Sequence, residues 1–369
     1  MRIRECIKDL IPYSPGKLKK GAIKLASNEN PLGIAPKALN AISQKANQIS
    51  LYPDGACEEL KAALASKYNL SSDNFIIGNG SDEVLVLITG AYIEPGDNAI
   101  TSSLTFSEYA FATRLFGGVM RFAPVQNGRF QLEKIASMVD SKTKIIFLCN
   151  PNNPTGTYFT SSELNAFVKK IPEDILIVID EAYKEYVTAG DIPDSMSLMN
   201  KRGNIVILRT FSKIYGLAGL RVGYGISNKQ LISDLNKTRT PFNVNSIAQS
   251  AAAAALEDND FVKQSLSVNE EGKRFLYAAF ERLGLEYYPT QANFIYVKVN
   301  KDCTEVFEKL MNMGVTIRPM KSFGVNDAIR VTIGTADQNV FFIDCLEKVL
   351  GIGDNLKKTK NDIEVINAR

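Results

Sequence analysis

A lone lysine set among apolar residues is where this chain first suggests chemistry. In Thr210-Phe211-Ser212-Lys213-Ile214-Tyr215-Gly216-Leu217-Ala218-Gly219-Leu220-Arg221-Val222-Gly223-Tyr224, a glycine-spaced loop follows the apolar run Ile205 to Leu208 and holds Lys213 beside Phe211, Ile214, Tyr215 and Leu217. Apolar surroundings disfavour the ammonium form, so an amine held there loses its proton more readily and becomes nucleophilic. Arg221 lies in the same loop and adds a permanent cation whose fork suits the oxygens of an anion.

Three further segments carry polar groups at the ends of apolar runs. Ile175-Leu176-Ile177-Val178-Ile179-Asp180-Glu181-Ala182-Tyr183 ends a buried-looking strand in a carboxylate, which is costly to desolvate and so requires a cationic or hydrogen-bonding partner at Asp180. Asn150-Pro151-Asn152-Asn153-Pro154-Thr155-Gly156 follows Ile145-Ile146-Phe147-Leu148 and forms a stiff loop at a strand's C-terminal end, the edge at which open α/β sheets bind ligands. Gly78-Asn79-Gly80-Ser81-Asp82-Glu83 precedes a helix starting near Val84, so backbone N–H groups and the helix dipole point at an anion. This last segment is not a dinucleotide fingerprint, because Glu83 stands where the third glycine belongs and no ribose-binding acid follows at the expected distance. Taken singly, these segments also read as a turn, a helix N-cap or a surface loop; their order and spacing together carry the chemical reading.

Composition narrows the chemistry. The 369 residues include no histidine, which removes Ser-His-Asp triads, Cys-His pairs and His-based metal sites, so proton transfer falls to lysine, carboxylate, tyrosine or a bound cofactor. The five cysteines are widely spaced with no C-x-x-C pair, fitting neither a disulfide framework nor a thiolate zinc site, so no metal is expected. A net charge of +3, spread along the chain, gives no basic stripe for nucleic acid or an anionic membrane. Apolar runs such as Val84 to Ile88 fall far below the roughly 20 residues that span a bilayer, and Met1 to Leu10 lacks the apolar core of a signal peptide. These features predict a cytoplasmic location.

The elements that must position these groups follow from breakers and periodicity. Pro12, Pro15, Gly16, Gly21, Pro31 and Gly33 make residues 1–35 an extended arm that packs with a smaller domain. A helix is predicted over Cys57 to Tyr68, then strands at Asn74 to Ile77, Asn98 to Thr101, Lys144 to Cys149, Leu176 to Asp180 and Ile205 to Thr210, separated by helix-length segments. That alternation predicts an α/β fold, a doubly wound and mostly parallel sheet, in a large domain over residues 36–255. The alanine-rich run Ile247 to Leu256 continues into a helical pattern over Asn269 to Leu283, leading to a small α+β domain over residues 256–350. That domain carries strands at Phe294 to Val299, Val315 to Arg318 and Ile329 to Ile333, and a helix from Glu305 to Met313. Residues 351–369 read as a polar tail.

The N-P-x-N-P-T-G loop, the D-E-A-Y strand end and the S-K-x-x-G-L-A-G-L-R-x-G-Y segment resemble, in the right order, the cofactor site of fold-type I pyridoxal 5'-phosphate aminotransferases. The resemblance implies that Lys213 carries the cofactor as a Schiff base and moves the substrate proton. Asp180 would pair with the pyridine nitrogen, and Tyr183 and Asn153 would hydrogen-bond the ring's phenolic oxygen. Gly80, Ser81, Asp82, Ser212 and Arg221 would surround the phosphate, and Phe106, in Leu104-Thr105-Phe106-Ser107-Glu108-Tyr109, would stack on the ring.

Ile11-Pro12-Tyr13, Lys24 through Gly33, Leu51-Tyr52-Pro53-Asp54-Gly55, Arg318-Pro319 and Arg330-Val331-Thr332-Ile333-Gly334 are similar to the histidinol-phosphate aminotransferase branch in particular, up to about residue 350. The similarity implies transfer of an amino group from L-histidinol phosphate to 2-oxoglutarate, giving imidazole acetol phosphate and L-glutamate, in histidine biosynthesis. Arg330 would be the main anion-binding arginine and Arg318 its helper. Tyr13 and Asn28 would close over the substrate, and Glu29 would meet the imidazole. Tyr52 would reach the cofactor phosphate of a partner subunit, making the protein a homodimer. Threonine-phosphate decarboxylase and aromatic aminotransferase activities of the same fold are the rival readings, and a non-enzymatic binding protein on this scaffold would lack Lys213 or Asp180, both of which are present.

Overall fold

A computed structural model describes residues 1–8, 10, 12 and 19–352. The site is built on one edge of a seven-stranded sheet. Its strands are β2 (Phe75–Gly78), β3 (Asn98–Ser102), β4 (Val119–Ala123), β5 (Thr143–Cys149), β6 (Leu176–Asp180), β7 (Ile205–Thr210) and β8 (Gly223–Ile226), and β1 (Ile23–Lys24) lies outside it. The order across the sheet is β2-β8-β7-β6-β5-β3-β4. Every neighbouring pair is parallel except the two made by β8, which runs antiparallel to β2 and β7.

Every residue of β6 and β7 is buried, as expected of strands covered by helices on both faces, and their continuous Val/Ile/Leu runs reflect that double burial. The arrangement is the doubly wound α/β sheet expected from the alternation of strands and helices. With β8 reversed, β2, β5, β6 and β7 all end on the same side, so Asn79 to Asp82, Asn150 to Gly156, Glu181 to Tyr183 and Phe211 to Arg221 converge there. Gly223 at the start of β8 permits this convergence, since a Cβ there would sit 2.4 Å from the Ser81 backbone nitrogen.

A second hydrophobic core lies under a three-stranded antiparallel sheet. It comprises β9 (Phe294–Lys298), β12 (Ala328–Thr332) and β11 (Arg318–Pro319), in that order, while β10 (Val315–Thr316) pairs in parallel with β1. Ile295, Val297, Ile329 and Val331 face Leu276, Phe280, Phe342 and Leu346 from the covering helices. One helix, Asn259–Arg282, joins the two cores: Phe261 is buried in the first, Leu276 and Phe280 in the second. At 24 residues it is roughly 36 Å long.

Several details differ from the sequence-based expectation. The helical pattern after the alanine run is two helices, Ser246–Ala255 and Asn259–Arg282, because Asp258 caps the second by accepting from the Phe261 N–H. The strand expected over Val315 to Arg318 is split between two partners, β1 and β12. The arm contains β1 and a short helix, Glu5–Lys8. β4 and β8 were not anticipated. β4 is an edge strand with Val119 and Phe122 exposed, and β8 alternates glycine with larger residues, so neither has a strand's usual composition. All five cysteines are free. Among the described residues no group of side chains could hold a metal ion, and no helix is long and apolar enough to cross a membrane. The tail beyond residue 352 lies outside the described residues.

Candidate active site

Lys213 leaves the loop after β7 partly buried, its Nζ donating to the Ser27 carbonyl at 3.1 Å and lying 5.8 Å from the centre of the Tyr183 ring. Burial, reinforced by the Arg330 cation, lowers its pKa to about 8, so a substantial share of the amine is neutral near physiological pH. Asp180, at the buried end of β6, is 3% exposed. Desolvation raises its carboxyl to about 6, held from rising further by the Tyr109 hydroxyl, which donates to Oδ2 at 2.7 Å, and by the Ala182 N–H at 3.1 Å to Oδ1. The partner demanded by a strand-end carboxylate is therefore present, as a neutral donor rather than a cation.

Two pairs link the large sheet to the arm and the small sheet. Asn28 donates through Nδ2 to the Tyr183 hydroxyl oxygen at 2.9 Å, and Arg330 donates to Asn153 Oδ1 and, at 2.8 Å, to the Ala26 carbonyl. Burial pushes the Tyr183 phenol up, so it stays protonated. Arg330 is buried, lies over the Phe294 ring and leaves its Nε without a partner. Desolvation, with the Arg318 cation adding to it, lowers the guanidinium to about 10, so it remains charged at neutral pH. Arg318 faces Arg330 directly across the β11/β12 pair, an arrangement of like charges that disfavours the empty state and suits an anion between them.

At the start of the helix Ser81–Tyr92 the backbone turns at Gly80, with φ of 82°, and a Cβ there would lie 2.7 Å from an Arg221 nitrogen. Arg221 itself adopts a left-handed conformation, φ 54°, which turns its guanidinium towards Ser212 Oγ at 3.5 Å and Asp82 at 3.0 Å. Backbone N–H groups at a helix start, the Ser81 and Ser212 hydroxyls and an arginine fork form a cradle for a phosphate dianion. Together with the acid at Asp180, the amine of Lys213 and the donors Tyr183 and Asn153, this set fits pyridoxal phosphate in each of its polar functions. A cleft of about 460 Å³ opens beside it, lined by Lys24, Glu29, Pro31, Ser212, Gly219 and Gln338.

The remaining predicted residues are dispersed. Phe106 is partly buried and meets Tyr109 edge-on, with ring centres 5.6 Å apart. Glu29 is ion-paired with Lys24 at the cleft wall. Tyr52 is 84% exposed, stacked on Phe242 at the surface. Tyr13 lies outside the described residues. Sequence reasoning assigned no role to Tyr109, which is fully buried, stacked on Phe147 and bonded to Asp180, or to the buried Glu181–Arg209 ion pair behind β6, whose arginine also donates to the Tyr68 hydroxyl. Glu181 directly follows Asp180, the last residue of β6, and a second carboxylate at the end of that apolar run was the available signal for the pair.

Comparison with known proteins is consistent with this geometry. A profile of the family described as Aminotransferase class I and II matches residues 20–344. A histidinol-phosphate aminotransferase of Moorella thermoacetica is 48% identical over 359 residues, covering 95% of this chain and 93% of that protein. A histidinol-phosphate aminotransferase 2 of Carboxydothermus hydrogenoformans is 44% identical, covering 95% and 99% respectively. Among solved structures, histidinol-phosphate aminotransferase from Sinorhizobium meliloti in complex with pyridoxal-5'-phosphate superposes with a TM-score of 0.87 at 30% identity, covering 95% of this chain and 97% of that one.

Proposed function

Because the chain belongs to the class I and II aminotransferases, and within them to the histidinol-phosphate aminotransferases, we propose that its site transfers the amino group of L-histidinol phosphate to 2-oxoglutarate. The products are imidazole acetol phosphate and L-glutamate, and the transfer is a step in making histidine. Pyridoxal phosphate, when bound, supplies an electron sink for the bond electrons of the substrate's α-carbon.

The chain's own residues do the rest. Lys213, with an amine near pKa 8, holds the cofactor and takes the proton from the substrate's Cα. Asp180 would hold the ring nitrogen and keep it charged, with the Tyr109 hydroxyl fixing one carboxylate oxygen. Tyr183 and Asn153 donate to the ring's phenolic oxygen. Gly80, Ser81, Ser212, Arg221 and the backbone N–H of Asp82 would hold the cofactor phosphate, and Phe106 would cover the ring. Arg330 and Arg318 bind the substrate's anionic end, phosphate in one half-reaction and carboxylate in the other, which a planar guanidinium can do. Asn28 and Tyr13 border the substrate, and Glu29 accepts from the imidazole once released from Lys24.

The single observation that carries this reading is the buried, partly unpartnered Arg330 set opposite Arg318 beside a depressed lysine amine. It supports a substrate that brings both an amine and an anion. We further propose that the enzyme is a cytoplasmic homodimer, with domains over 36–255 and 256–350 and an arm over 1–35. Leu51 and Tyr52, beside the exposed Phe242, form an apolar patch of the kind that subunits cover. The test is single-turnover absorbance with histidinol phosphate, tyrosine and threonine phosphate offered separately. Rapid bleaching of the visible band by histidinol phosphate, with glutamate formed once 2-oxoglutarate is added, is expected. Carbon dioxide release from threonine phosphate would assign the protein to the decarboxylases instead. In Lys213→Ala the lysine-linked visible band disappears and turnover falls by at least about a thousandfold.

A further inference from the structure

Thr332 lies two residues beyond Arg330 on β12, so both side chains leave the same face of the strand. It is 3% exposed, and among the described residues its hydroxyl hydrogen-bonds only to Asn28. The Asn28 backbone N–H donates to Thr332 Oγ1 at 2.9 Å, a bond whose direction is fixed because a backbone amide cannot accept. The hydroxyl's own proton then points to the Asn28 side-chain oxygen, 3.2 Å away. With its oxygen so engaged, the Asn28 amide presents Nδ2 to Tyr183, at 2.9 Å.

Asn28 is further held by Asn293 Nδ2, which donates to its carbonyl at 3.0 Å, and by a left-handed backbone, φ 58°, that asparagine tolerates. The proton count has one outcome. Tyr183 accepts from Asn28 and does not donate to it, so the phenolic proton is left for another acceptor on the side of the ring that Lys213 approaches, its Nζ 5.8 Å from the ring centre. Were the amide turned over, its oxygen would face Tyr183 and accept that proton, and the threonine hydroxyl proton would be left buried without an acceptor, which disfavours the turned-over amide.

We propose that Thr332 is a positioning residue of the reaction: by orienting the Asn28 amide it makes Tyr183 a donor to the cofactor's phenolic oxygen. This rests on the role given to Tyr183 above. It also means that the strand carrying the substrate's arginine sets the hydrogen bonding of the cofactor's tyrosine.

The test reads protons rather than turnover. A donor on the phenolic oxygen stabilises its negative charge and so lowers the pH at which the lysine-bound cofactor changes colour. The other charged or titratable groups near Lys213 and Tyr183 include Arg330 on β12, Glu29 on the arm, Asp82 on the helix after β2, Arg221 on the lysine's loop, Cys149 at the end of β5, Asp180 at the end of β6 and Tyr186 three residues after Tyr183; none is changed in the variants.

In the cofactor-loaded enzyme, Thr332→Val and Thr332→Ala should raise the midpoint of the absorbance titration by about one pH unit, a tenfold change in proton affinity. Thr332→Ser, which keeps the hydroxyl, should titrate as the parent does. Tyr183→Phe should raise the midpoint at least as far, and adding Thr332→Val to it should produce no further change, since the pair acts through one bond. A midpoint unmoved in Thr332→Val and Thr332→Ala, or a shift that adds in full on Tyr183→Phe, overturns the proposal. If instead the parent enzyme shows no pH-dependent, Lys213-dependent band, the functional reading itself fails and this inference fails with it.

Discussion

At the scale of single residues the site consists of charged groups kept in surroundings that oppose their charge. Asp180 illustrates the sign of the effect. Its carboxyl rises from 3.8 to about 6 on burial, so the folded protein binds a proton more tightly than the unfolded chain. Stability without cofactor is therefore lost as pH climbs through the interval from about 4 to about 6, and the loss is complete above it, worth about 3 kcal/mol. Asp180→Asn should make the cofactor-free protein more stable than the parent at pH 7.5 and no more stable at pH 4, by urea unfolding, while it weakens cofactor binding and slows turnover. Equal stability at both pH values would show that the carboxylate bears no such cost. Lys213 and Asp180 stood out as candidates in the sequence through the order and spacing of the segments that hold them, since each segment alone also reads as a surface loop or a helix N-cap. Tyr109 and Thr332 were not, since their partners lie 71 and 304 residues away along the chain and no local pattern marks a hydroxyl as bonded.

At the scale of elements, function depends on how closely strand and helix ends approach. β8 passes beneath the first turn of the helix Ser81–Tyr92 with no room for a side chain at Gly223, where the obstruction is backbone and cannot swing aside. Gly223→Ala should destabilise the fold by about 3 kcal/mol and widen the phosphate cradle, so that cofactor dissociates more readily from whatever protein folds. Thermal unfolding and cofactor titration would measure the two effects, and unaltered values for both would mean that the sheet relaxes without cost. β5, β6 and β7 were read correctly because both-face burial leaves unbroken aliphatic runs. β8 was missed because the glycines that let it fit also erase its strand composition, and the strand Val315 to Arg318 divided because its halves pair with segments some 290 residues before and about ten residues after it, a choice made only in three dimensions.

At the scale of the whole molecule, the exposed Tyr52 and Phe242 stack and the neighbouring Leu51 make up the apolar patch proposed above as the subunit interface. Tyr52→Phe should leave the oligomeric state intact and weaken cofactor retention about tenfold, the loss of one hydrogen bond to a charged group. Leu51→Asp should dissociate the protein, with activity that recovers on concentration. Sedimentation alongside cofactor fluorescence would separate these, and a Tyr52→Phe enzyme that retains cofactor normally would remove the case for a shared site. The helix Asn259–Arg282 has its own consequence. Since one end is rooted in each core, neither body can melt without stripping the other of part of its interior. Heating should therefore yield one endotherm in a scanning calorimeter, with no stage at which the arginine-bearing sheet is molten while the lysine-bearing sheet stands.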